Sequence, residues 1–127
     1  MQYTKGPFTA DVNPHTSLIV LRRGSEAMSI HTGEGANAKS AISMGASLFN
    51  IPVLPEYVSF SPFKLHFLPD GATRLEKPEG GVSFSQADYE DLIDLIQMSV
   101  VACSDTLRLS GGARAGGKMP GSPDPII

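Results

Sequence analysis

The chain has 127 residues, 41% of them hydrophobic and 18% charged, and a net charge of -3. These values describe one globular domain that can bury a core without a disulfide or metal staple. The acidic balance gives no electrostatic reason to bind an anionic membrane, and it argues against nucleic acid as a partner.

A single cysteine, Cys103, excludes an intrachain disulfide. No apolar run reaches the roughly 18 residues of a membrane span. The first dozen residues lack the apolar core of a signal peptide, so a cytoplasmic location is the expectation. The charged share falls below the usual quarter, while 13 glycines and 10 prolines imply many turns. Such a surface suits cover by a partner.

Residues 1–16 carry Gly6, Pro7, Asn13 and Pro14 and read as an N-terminal arm or edge strand. Ser17 to Arg22 holds four consecutive apolar residues, the mark of a strand buried on both faces. After a turn at Gly24-Ser25, residues 27–32 set Met28 and Ile30 against Ser29 and His31. That alternation predicts a half-buried hairpin partner. Gly33-Glu34-Gly35 breaks the strand. Ala38, Ala41, Ile42, Gly45, Leu48 and Phe49 then approach helical spacing over residues 36–49, and Pro52 and Pro55 stop that short helix from continuing. Residues 57–60 and 63–68 alternate again, Pro69-Asp70-Gly71 is a turn, residues 73–76 return, and Val82 and Phe84 make a last short strand. No internal repeat is visible.

Residues 86 to about 109 predict one long amphipathic helix. Ser85 is the candidate N-cap, with Asp88 three positions on. Asp88, Glu90, Asp91 and Asp94 crowd the first turns, where the helix dipole favours anions. Tyr89, Leu92, Ile93, Ile96, Val100, Cys103 and Leu107 form one apolar stripe, and Arg108 and Gly111 read as its end. Leu95, Met98, Val101 and Leu109 fall off the stripe and give the helix a second apolar side, expected to face a partner. Residues 110–127 are rich in glycine and proline, without periodicity, carry Arg114 and Lys118, and finish in Ile126-Ile127. The expected fold is α+β: an antiparallel sheet of about five or six short strands, one short helix and one long C-terminal helix. The domain spans residues 17–109, between extended arms.

Gly33 to Ser40 falls one residue short of the phosphate-binding pattern G-x-x-x-x-G-K-[ST], because Ala38 stands where its second glycine belongs. Gly33, Gly35, Lys39 and Ser40 remain a weak anion-site candidate at a helix N-terminus. His15, His31 and His66 lack partners at metal-ligand spacing, so neither a metal nor another cofactor is expected. Cys103 lies on the helix stripe as a buried thiol, and no nucleophile–base spacing suggests a catalytic residue.

The leading expectation is therefore a non-enzymatic structural or interaction protein, a small subunit of a larger assembly. Small virion components such as capsid cement, head–tail or tail proteins share this physical profile. The expected partner is another protein or copies of the same chain. Expected contacts are Leu95, Met98, Val101, Leu109, Arg114, Lys118, Ile126 and Ile127. Two alternatives are a small nucleotide- or anion-binding enzyme using Gly33–Ser40, and a small regulator or inhibitor of one host protein.

Overall fold

Alternation at the start of the chain builds the first sheet. In β2 (Phe8–Asn13), Phe8, Ala10 and Val12 point into the core while Thr9, Asp11 and Asn13 face outward. The computed structural model describes residues 1–53 and 55–112, with side chains in the final stretch as far as Ser104. β1 (Gln2–Lys5) pairs antiparallel with β2, Gln2 opposite Asp11 and Lys5 opposite Phe8. Gly6 makes the turn between them. It sits at φ +56, and a Cβ there would run into the Asp91 carboxylate. The N-terminal residues are therefore a hairpin of the sheet and not an extended arm. Gly6 and Pro7 mark its turn.

β3 (Leu18–Arg23) and β4 (Glu26–His31) complete a four-stranded antiparallel meander in the order β1-β2-β3-β4. The apolar run in β3 is not buried on both faces. Ile19 and Leu21 are buried, whereas Leu18 and Val20 lie half-exposed on the outer face. A short 3-10 turn (Thr32–Glu34) leads into α1 (Gly35–Ser47), which buries Ala38, Ala41, Ile42 and Gly45.

A second meander follows: β5 (Tyr57–Phe60), β6 (Phe63–Phe67), β7 (Thr73–Lys77) and β8 (Gly80–Phe84), again in sequential antiparallel order. α2 (Tyr89–Gly112) closes the described chain. The architecture is α+β, with two four-stranded sheets instead of one sheet of five or six strands. α2 begins three residues later than its periodicity suggests. The Ser85 carbonyl accepts the N–H groups of Asp88 and Tyr89 in a preceding turn. The helix also runs through Gly111 to Gly112, so that glycine does not end it.

The chain is thus two successive ββββα units, and the helices are exchanged between them. α2 lies over β1 and β2 of the first sheet, α1 lies over β6 and β7 of the second, and the helices touch each other. β4 and β8, one edge of each sheet, meet at the centre. Gly80 permits that approach, since any Cβ on it would strike the Ala27 carbonyl oxygen. The core is continuous across the junction, from Phe8, Ile19, Leu21 and Met28 to Phe63, Leu65, Leu75 and Phe84, with Leu92, Leu95 and Ile96 of α2.

Candidate functional site

Several charged residues that suggest chemistry in isolation instead clasp the two units together. Arg23, the last residue of β3, donates through Nη1 to the Ser83 carbonyl on β8 at 3.0 Å. The same nitrogen is 2.9 Å from an Asp88 carboxylate oxygen, and the guanidinium lies 5.2 Å from the Phe8 ring centre. Lys77, the last residue of β7, repeats the arrangement in the other direction. Its Nζ donates to the Ser29 carbonyl on β4 and to Glu34 Oε1, both at 3.1 Å, and lies 6.0 Å from the Phe63 ring centre. Each acid also receives a backbone N–H three residues before it, His31 to Glu34 at 2.8 Å and Ser85 to Asp88 at 2.7 Å. The reciprocity is what an internal twofold axis requires. Each cation stacks on a phenylalanine of its own unit and pairs with the acid at the helix entry of the other.

This clasp occupies the Gly33–Ser40 loop. The Glu34 carboxylate fills the ground that an anion needs. Burial pushes its pKa up, but the His31 N–H and the Lys77 ammonium outweigh burial and hold the group below its ordinary value. Gly35 is buried against α2, where an added Cβ would meet Val100 Cγ2 at 2.7 Å. Lys39 reaches sideways to hydrogen-bond Gln97, and Ser40 is exposed one turn further on. Gly33, Gly35, Lys39 and Ser40 therefore do not converge on a shared space, and the anion-site expectation is corrected. The cause is Glu34, a carboxylate in the middle of the supposed cradle.

Other charged groups are also engaged. His66 pairs with Glu76 at 2.9 Å and stacks on Tyr57, with Lys64 over the same ring. Arg22 donates to Asp11, and that bond, with one from Gln2, holds the Asp11 carboxyl below its usual range. Cys103 is buried, which pushes its thiol up and away from the reactive thiolate. Among the described residues, no three His, Cys, Asp or Glu side chains gather as metal ligands. No described helix is long and apolar enough to cross a membrane.

Apolar surface also stays open. Among the described residues, the exposed large hydrophobic side chains fall into two groups. Ile51, Val53 and Tyr57 lie on the connection into β5, and Met1, Met98 and Val101 lie where α2 passes β1. The second group is organised. Tyr3, Gln97, Met98, Val101 and Ala102 line an open groove of about 370 Å³, and the Tyr3 hydroxyl reaches the Met1 sulfur at 3.4 Å. Met98 is 40% and Val101 43% exposed.

Leu95 is a correction. It is fully buried in the chain's own core, because α2 is covered by a sheet on one side and by α1 on the other. A helix covered on two sides needs an apolar arc wider than one stripe. The Leu109 side chain and residues Arg114, Lys118, Ile126 and Ile127 lie outside the described residues. β1, whose pairing brings Tyr3 into the groove, is the edge strand that residues 1–16 offered as the alternative to an arm. The Phe8, Ala10, Val12 alternation was the signal for its hairpin. No family model, curated protein or solved structure matches this chain.

Proposed function

We propose that this protein is a non-enzymatic interaction protein, a small subunit that works by docking onto another protein surface. One observation carries the reading: the exposed large apolar side chains of Met98 and Val101 line a groove whose lining holds no charge. Single exposed apolar residues are ordinary, but a contiguous patch beside a sheet edge marks a contact surface. Arg23, Lys77, Glu34 and Asp88 support it from the other side, since their bonding capacity is committed to holding the fold. A role inside a larger assembly, a virion among the possibilities, extends this reading.

The test compares the full chain with a Met98→Asp, Val101→Asp double variant, by light scattering and by affinity capture from the source cell. The native chain is expected to self-associate or to capture a defined protein. The variant should lose that association while keeping its circular dichroism and melting temperature. A monodisperse native chain that captures nothing, or a variant that associates as well as the native chain, sinks the proposal.

A further inference from the structure

We infer that the groove is filled by a second copy of this chain, with β1 pairing antiparallel to β1 of that copy so that the first sheet continues across a twofold axis. The inference rests on the docking function proposed above and names its partner.

Met1 and Val12 exchange both main-chain hydrogen bonds, at 2.7 and 3.0 Å. In an antiparallel ladder the bonded pairs alternate, so Tyr3 and Lys5 also turn their N–H and C=O groups toward β2. The corresponding groups of Gln2 and Thr4 point away from β2. Among the described residues β1 pairs with β2 alone, so this edge is open. Sheet edges are usually guarded by proline, a bulge or an exposed charge. β5, the counterpart of β1 in the second unit, lies between Pro55 and Pro62. β1 holds a single charge, Lys5, which is drawn toward Asp94 at 3.6 Å.

One register satisfies this edge. With Gln2 opposite the copy's Thr4 and Thr4 opposite its Gln2, the four outward groups on each strand find partners. Tyr3 then meets its own copy on the axis as a non-bonded pair, with Cα atoms about 4.5 Å apart. Tyr3 points to the α2 side, into the groove beside Met98 and Val101. The helices fit as well. Strands are spaced about 4.8 Å apart, so where α2 passes over β1 and β2 it lies about 5 Å from the axis. The two α2 helices then approach to about 10 Å, an ordinary packing distance. A neutral lining suits an isologous contact, in which the same patch meets itself and a charge close to the axis would lie against its own copy.

The experiment uses the full chain. Light scattering at up to about 100 µM should give the mass of two chains. Thr4→Pro removes an N–H that points away from β2, at an edge position where proline is tolerated. It should weaken dimerisation roughly tenfold or more, as should Val101→Asp, with the monomer fold retained by circular dichroism. Under mild oxidation Tyr3→Cys should form an interchain disulfide readily and Gln2→Cys should not, because only position 3 meets itself.

A dimer that keeps its affinity in Thr4→Pro and does not cross-link through Tyr3→Cys overturns the inference. So does a monomer in which the Met98→Cys variant gains maleimide reactivity only after residues 113–127 are removed, which assigns the groove to the chain's own C-terminal segment. A monomer that binds a different protein through Met98 and Val101 refutes the second copy but leaves the docking function standing. A monomer that binds nothing refutes both.

Discussion

The two ββββα units hold the same clasp and differ in what surrounds it. Phe8 and Phe63, Arg23 and Lys77, Ser29 and Ser83, Glu34 and Asp88 occupy matching places and make matching contacts. Their helices diverge. α1 spans 13 residues and buries small ones, Gly35, Ala38, Ala41 and Gly45. α2 spans 24 residues, buries Leu92, Leu95, Ile96 and Cys103, and continues across the outermost strand of the opposite sheet. Shared features are those the fold needs twice. Met98 and Val101, exposed on the long α2 beside β1, serve neither clasp nor core, which is why they carry the proposed function.

The strongest way to break this equivalence is to truncate its aromatic pair. Phe8→Ala and Phe63→Ala each remove a fully buried ring that also lies beneath a clasp cation. Each is expected to cost about 3–5 kcal/mol of stability in urea unfolding, with the two values close together. Very unequal costs would show that the reciprocal geometry hides unequal packing.

The cations come next. Arg23→Met and Lys77→Met leave Asp88 and Glu34 partly buried without their ionic partners. Losses of about 1–3 kcal/mol are expected, the larger at Arg23. The Asp88 side chain left behind is 13% exposed and that of Glu34 is 25%, so solvent compensates less for Asp88. The Lys77 arm also predicts a pH dependence. The Glu34 pKa is held below its ordinary 4.5, so its contribution is fully present above that value and is lost as pH falls through the lowered one. Stability measured from pH 6 down to about pH 3 should therefore fall less steeply in Glu34→Gln than in the native chain. An unchanged slope would show that Glu34 has the same acidity folded and unfolded.

Local features of this architecture were legible in the sequence and tertiary ones were not. The Gly24-Ser25 hairpin, the strands around Phe63 to Phe84 and both helices follow from periodicity and turn chemistry, which act over a few residues. The repeat left little trace. Pro7 and Pro62, Phe8 and Phe63, and Ser29 and Ser83 are identical, but Arg23 against Lys77 and Glu34 against Asp88 preserve only charge, and Ala38 against Leu92 preserves only burial. Helix exchange leaves no local signal at all. It explains the misreading of Leu95 as a partner contact, and it sets Glu34 against the weak anion-site candidate at Gly33. The cover over Leu95 comes from elements far away in sequence, and the cation that settles Glu34 is Lys77 of the other unit.

The smallest expected effect is the sharpest test of that distinction on α2 itself. Leu95 and Met98 are three residues apart and both lay off the stripe expected to be buried. One is now fully buried and the other 40% exposed. Leu95→Ala should cost about 2–5 kcal/mol, in line with the phenylalanine variants. Met98→Gln keeps the side-chain length and should change the stability of the dilute monomer by no more than about 0.5 kcal/mol. Urea unfolding at low protein concentration measures both. Equal losses would place Met98 in the core and remove the reason to look for a partner at the groove. A neutral Met98→Gln that nonetheless weakens association separates the two faces of the helix, one that folds the chain and one that is free to bind.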